Sequence, residues 1–239
     1  MVKAIRLDKY LAQAGIGSRS QVKELLKKGK VTVNGQVASK PEIKVTPGED
    51  SVYCCGEQVG HWEHRYFLLN KPAGVVSATE DTREKTVLDL FPVQLRRGLF
   101  PVGRLDKDTV GLLLVTDDGE LAHRLLSPRK HVEKVYEALV EGQMGQDDVK
   151  AFEQGIDIGD DTPTRPAGLR IMQAAEHSLV QITLTEGRYH QVKRMCQAVG
   201  KPVVKLKRLS MGSLKLDENL MEGTYRPLTE EEIGRLREC

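Results

Sequence analysis

Apolar residues Ile5, Leu7, Tyr10, Leu11 and Ala14 recur at helical spacing, and "AGIGS" ends that helix on glycine before Ser18 offers an N-cap to a second helix. In the second helix Val22, Leu25 and Leu26 form the core-facing stripe. Val31 and Val33 then alternate into Asn34-Gly35, a dipeptide that predicts a tight hairpin. Two helices and a basic hairpin make a module of about fifty residues, marginal in stability on its own.

From Tyr66 the texture changes to short strands separated by turns and a few helices. "YFLLNKPAG", "GLLLVTDDG", "VEKVYEALVEG" and "SLVQITLTEG" read as strands; "GELAHRLLSP", "DDVKAFEQG", "RYHQVKRMCQAVG" and "TEEEIGRLRE" read as helices. Strands outnumber helices without alternating with them. The fold class is therefore α+β: a small helix-helix-hairpin domain, then a domain with a mixed, mainly antiparallel sheet and flanking helices. "DSVYCCGEQVGHWEHR" turns polar around Gly56 and Gly60, which places the boundary near 58–64 and the domains at 1–60 and 61–239.

Composition narrows the function. The 239 residues can bury a proper core, and no P-loop, G-x-G-x-x-G fingerprint or internal repeat occurs. Cys54, Cys55, Cys196 and Cys239 form no C-x-x-C pair, so they read as reduced thiols in a cytoplasmic protein. His61 and His64 lack a nearby third ligand and read as a surface pair; no metal is expected. There is no signal-peptide pattern and no apolar run long enough to span a membrane. The net charge of +2 is sorted along the chain. Residues 1–60 hold ten Lys/Arg against six Asp/Glu, and residues 187–208 hold seven Lys/Arg and no acid. Two basic blocks point to a polyanionic partner, although ordinary solvated faces would look the same.

The most charged strand mouth is "GRLDKDTVGLLLVTDDG" at 103–119. Taken alone, it is a polar turn entering a buried strand. "LNKPAG" at 69–74, "EKVYEALV" at 133–140 and "EGRYHQVKRM" at 186–195 also place Lys, Tyr, Arg and His at element ends. If these ends converge, one cleft holds a carboxylate, a phenol and several cations. Lys71, Arg188, His190, Gln191 and Arg194 are then expected to meet the polyanionic partner, and Asp108 to be a structural turn residue. Asp117 and Asp118 are expected to cap the helix that follows.

"RLDKYLAQAGIGSRSQVKELLKKGKVTVNGQ" resembles the S4 RNA-binding domain over its whole length. That resemblance implies an RNA-facing edge of Arg6, Lys9, Ser18, Arg19, Lys23, Lys27 and Lys30. Behind it, "GRLD", "KVY" and "GRYHQVKRM", in that order, resemble the RsuA-type pseudouridine synthases of ribosomal RNA. The resemblance implies that Asp106 is the essential carboxylate, Tyr136 the ring on which the extruded uracil stacks, and Lys193 the cation that keeps Asp106 ionised. It implies that Arg104 braces the space the uridine vacates, and that Val192 packs under Tyr136. Uridine would lose its N-glycosidic bond, turn, and be rejoined through C5, with no cofactor. Many related families carry Arg where Lys193 stands, so a single contact to Asp106 is expected.

The expected partner is ribosomal RNA or a pre-ribosomal particle, met by a monomer with no membrane association. The chain stops soon after "RPLTEEEIGRLREC", where large-subunit enzymes often continue into a basic tail, which favours small-subunit RNA; a large-subunit target is the alternative. Two readings of other classes stay open: a non-catalytic RNA-binding assembly factor, and a hydrolase using Asp106 and Asp108.

Overall fold

The computed structural model describes residues 4–14, 16–59 and 64–239. It divides into two compact units, Met1–Arg65 with Pro92–Arg97, and Tyr66–Phe91 with Gly98–Cys239. The expected boundary between residues 60 and 61, and His61, lie outside the described residues.

The first unit runs β1 (Ile5–Arg6), α1 (Leu7–Gln13), α2 (Arg19–Lys27), β2 (Val31–Val33), β3 (Gln36–Val37), β4 (Lys44–Val45), β5 (Val52–Cys54) and β6 (Glu57–Gln58). Ile5, expected in the first helix, instead pairs with Val45 across β1 and β4. Arg6 is extended, and α1 begins only at Leu7, whose N–H donates to Ile43 O at 2.7 Å. Ser18 closes a capping box with Gln21 at the start of α2. Asn34 and Gly35 both have positive φ, 51° and 80°, as a two-residue hairpin of the right twist demands. Leu7, Leu11, Val22, Leu26, Val31 and Val52 make the core.

The second unit runs β7 (Tyr66–Lys71), β8 (Phe100–Pro101), β9 (Val110–Thr116), α4 (Gly119–Leu126), β10 (Lys134–Glu141), α5 (Gln146–Gln154), β11 (Gly168–Gln173), β12 (His177–Leu184), α6 (Gln191–Ala198), β13 (Val203–Met211), β14 (Leu214–Lys215), β15 (Tyr225–Pro227) and α7 (Glu230–Arg237); α3 (Val93–Arg96) belongs to the first unit. One sheet orders its strands β11-β12-β10-β13-β9-β7-β15. All neighbours in it are antiparallel except β13 and β9, which run parallel. Asp118 caps α4, accepting from Leu121 N at 2.9 Å and from Tyr66 Oη at 2.7 Å.

Two hydrophobic clusters fill this unit. Val140, Phe152, Val180, Ile182, Val192 and Met195 belong to the cluster of β10–β12, α5 and α6. Leu68, Leu112, Leu114, Leu121, Met211 and Leu236 belong to that of β7, β9, α4 and α7. β13 contributes Leu206 to the first and Met211 to the second, so the parallel β13–β9 pair is the seam between them. Gly111 makes the seam possible: its φ is +100°, and a Cβ there would lie 2.4 Å from Arg208 O. Arg208, buried, donates through Nε to Leu112 O at 2.8 Å across the same seam.

Candidate active site

The charged segment before β9 is strapped down by bonds to its own backbone. Leu105 N donates to Ser77 Oγ at 3.0 Å, Ser77 Oγ donates to Leu105 O at 2.8 Å, and Gly74 N donates to Lys107 O at 2.8 Å. Lys71, at the end of β7 and 0 % exposed, points its ammonium at the carbonyls of Thr109 (2.8 Å), Asp106 (3.0 Å), Pro72 (3.0 Å) and Lys107 (3.3 Å). Three ammonium protons therefore serve four carbonyls, and the curve of residues 106–109 is wrapped around one cation. Burial pushes the Lys71 ammonium down to about 8, partly countered by Asp108 and Asp106.

The opposite wall comes from the start of α6. His190 takes a left-handed conformation, φ 49° and ψ 32°, so the helix begins at Gln191 rather than at Arg188. That turn aims two side chains at the loop. Lys193 Nζ sits 3.1 Å from Asp106 Oδ2 and 2.6 Å from Asp108 Oδ1, and His190 Nε2 lies 3.3 Å from Asp106 Oδ1. Asp106 keeps its side chain 26 % exposed, open to a pocket that Arg104, Thr109, Tyr136, Val192 and Leu206 help to line.

The electrostatics follow from one lysine facing two carboxylates. Its hydrogen bond holds the Asp108 carboxyl below the usual range, even against burial. Burial alone would lower Lys193, yet the bonds to Asp108 and Asp106 carry it above the ordinary lysine value. The result is a fixed, charged cluster across the seam between the two hydrophobic clusters: Asp106 on the β9 side; Tyr136, His190 and Lys193 on the α6 side. Such a cluster presents an oriented carboxylate beside an aromatic ring, a combination suited to chemistry at an electron-poor carbon next to a flat base.

Asp106, Tyr136, Lys193 and Arg104 are thus brought together, and His190 joins them. Arg188 and Gln191 line the same pocket, while Lys71 and Arg194 do not, and all four are bonded within the protein. Lys71 is fully buried and bonded to backbone, which corrects its expected RNA contact. Arg188 donates to Thr162 O at 2.7 Å and Pro163 O at 2.8 Å, and its Nε reaches Glu186 at 3.3 Å. Gln191 is buried, donating to Glu186 Oε1 at 2.7 Å. Arg194 donates to Asp160 Oδ1 at 2.6 Å, to Ile158 O, and to Tyr189 O at 3.2 Å. Arg188 and Arg194 fasten the loop before β11 to the start of α6, and Gln191 ties that helix start to Glu186. Asp108, expected as a turn residue, is 74 % exposed and is a second partner of Lys193.

In the first unit Lys9, Ser18, Arg19, Lys23, Lys27 and Lys30 are all exposed. Ser18 acts as the helix cap, accepting from Gln21 N at 3.3 Å. Arg6 is half-exposed and forks onto the buried Asp8 at 3.0 and 3.1 Å. Sequence reading missed Ser77, Thr109 and Glu186; the buried Thr109 hydroxyl has no partner among the described residues. Only the Thr in "GRLDKDTVG" was visible as a signal, and nothing distinguished it from a turn residue. Among the described residues, no group of three or more His, Cys, Asp or Glu is arranged to hold a metal ion, and no helix is long and apolar enough to cross a membrane.

A family model described as RNA pseudouridylate synthase matches residues 65–198, and one described as S4 domain matches residues 5–51. The chain is 49% identical over 98% of its length, and 99% of the relative's, to an uncharacterised RNA pseudouridine synthase of Bacillus subtilis. It is 42% identical to the ribosomal small subunit pseudouridine synthase A of Yersinia pestis, covering 96% of this chain and 97% of that one. It is 41% identical to the ribosomal large subunit pseudouridine synthase B of Bacillus subtilis, covering 97% and 95%.

Proposed function

This chain belongs to the RNA pseudouridylate synthase family, with an S4 domain in front, and from that premise we propose that it isomerises one uridine of small-subunit ribosomal RNA, in the cytoplasm and as a monomer. An RNA isomerase with these relatives binds ribosomal RNA; which RNA it modifies is the finer reading. The observation that carries the proposed site is the meeting of Asp106 and Lys193, 3.1 Å apart, with Tyr136 at the same pocket. In favour of the small subunit stands the Yersinia pestis relative at 42% identity over nearly the whole chain.

The reaction breaks the C1′–N1 bond, turns the uracil, forms C1′–C5 and releases the C5 proton while N1 takes one up, so the product is an isomer of the uridine. Asp106 serves it as the carboxylate that attacks C1′ or takes a sugar proton, and Lys193, 3.1 Å away, holds that carboxylate in place. Tyr136 supplies a flat surface for the extruded base, and Arg104 a guanidinium at the mouth of the pocket where the base leaves its stack. Arg6, Lys9, Ser18, Arg19, Lys23, Lys27 and Lys30 form the edge on which the S4 domain holds RNA, each phosphate contact adding roughly 0.7 to the salt slope for a single strand.

The test is tritium release from rRNA labelled at C5 of uridine, naked and protein-bound, for wild type and Asp106→Asn. Wild type is expected to release label from small-subunit RNA, and the variant at least about a thousandfold more slowly. The 41% identity to a large-subunit enzyme supports the second reading, so large-subunit RNA is assayed beside it. Release from that RNA alone would replace the small-subunit assignment, and an active Asp106→Asn would remove Asp106 from the chemistry.

A further inference from the structure

Tyr189 is 75 % exposed, the most exposed large apolar or aromatic side chain among the described residues. It is not loose. Its ring stacks on the His190 imidazole, with centroids 3.8 Å apart and planes inclined by 17°. His190 in turn touches Asp106 at 3.3 Å. The Tyr189 carbonyl accepts from Arg194 at 3.2 Å, and Arg188, on its other side, is bonded to Thr162, Pro163 and Glu186. One face of the ring is covered by imidazole, and with the residue 75 % exposed no contact shown among the described residues covers the other.

Holding a large aromatic ring still in water gives up the burial that normally keeps such rings inside. The left-handed His190 adds backbone strain that a helix start does not require. Both costs fall on the residue pair next to the reactive carboxylate. Every nucleobase offers a π-face, and a rigid aromatic with one open side is the side chain that binds such faces without reading sequence. Tyr189 does not line the pocket of Asp106 and Tyr136, whereas His190 does, so the base it meets is a different one from the base in that pocket.

We propose that Tyr189 is a stacking platform for a nucleobase of the RNA strand neighbouring the uridine at Asp106, which extends the Tyr189–His190 stack by one ring. This rests on the isomerase reading above. Tyr189 is a positioning residue for the strand and takes no part in bond breaking.

The experiment compares wild type with Tyr189→Phe, Tyr189→Leu and Tyr189→Ala. Affinity is read by fluorescence anisotropy with a fluorescein-labelled deca-uridylate, and KM and kcat by tritium release from ribosomal RNA. The Ala and Leu variants are expected to bind the deca-uridylate about 5- to 100-fold more weakly. Their KM should rise in step while kcat holds, and Phe should match wild type. Unchanged binding by Tyr189→Ala would overturn the platform. So would full recovery by Leu, which covers His190 but has no π-face, or a fall in kcat with KM and affinity intact, which would place Tyr189's effect in the alignment of Asp106. If wild type released no tritium from either ribosomal RNA while Tyr189→Ala still bound the deca-uridylate more weakly, the isomerase reading would fail and the platform would stand.

Discussion

The first unit and the start of α6 carry the same kind of side chain to opposite ends. In the first unit Lys9, Arg19, Lys23, Lys27 and Lys30 reach into solvent from a helix pair and a hairpin. Between residues 188 and 208, Arg188, Lys193, Arg194 and Arg208 turn inward onto carboxylates and carbonyls. Arg188 and Arg194 each hold three or more protein acceptors, which leaves them fewer donors to offer a phosphate. Lys and Arg in the first unit therefore build surface potential, whereas around α6 and β13 four of the seven serve the interior and Lys205 stays exposed.

The strongest way to sharpen this contrast is Lys71→Met, which removes the most internal of the cations. Several carbonyls of the 106–109 curve lose their donor at about 1–3 kcal/mol each, so unfolding in urea should show a loss of about 3 kcal/mol or more. Tritium release should fall at least about tenfold as Asp106 loses its fixed position. Lys71 also gives a signed pH effect. Its folded value is about 8, while an unfolded lysine titrates at about 10.4. Between those values the unfolded chain holds more protons, so stability from this group grows as pH rises. The stability gap between wild type and Lys71→Met should widen from pH 8 to pH 10; a constant gap would mean that Lys71 is not penalised by burial.

Arg188→Met is the intermediate case. It leaves the carbonyls of Thr162 and Pro163 without their donor and should cost about 1–3 kcal/mol of stability, with the salt slope of RNA binding unchanged. The smallest effect on the fold belongs to Arg19→Met and Lys23→Met: within about 0.5 kcal/mol in stability, but a salt slope reduced by roughly 0.7 each. A salt slope that moved for Arg188 and stayed fixed for Arg19 and Lys23 would invert the comparison.

The same contrast explains which parts could be read from the sequence. α2 with its Ser18 cap, the Asn34-Gly35 hairpin and β9 are dictated by neighbours in the chain, and their patterns are clean. β13 is not: "VVKLKRLSM" reads as a basic stretch, and its Arg208 occupies a buried strand position where Nε bonds to Leu112 O, 96 residues away. The start of α6 was misplaced for a related reason, since the left-handed turn at His190 serves a contact with Asp106 rather than helix propensity. Asp106, Tyr136 and Lys193 were named through resemblance to a family; spacing alone offered no reason to bring them together. The inward roles of Lys71, Arg188, Gln191 and Arg194 depend on acceptors distant in sequence, which no local pattern records.

The seam between β9 and β13 has a consequence for the chain as it leaves the ribosome. β7, β9 and α4 are synthesised early, and with β8 they can begin to assemble while β13 is still missing. Until β13 arrives, β9 is an unpaired edge along Val110 and Gly111, and the side chains of α6 have no fixed route to Asp106. Parallel pairing across so long a separation in sequence is among the slower events in forming a sheet. The carboxylate and its lysine therefore meet only once the second half of the sheet has docked on the first. A nascent or truncated chain holds every residue of the "GRLD" segment and still lacks the proposed centre, so isomerase activity at that centre would double as a report that the whole sheet has closed.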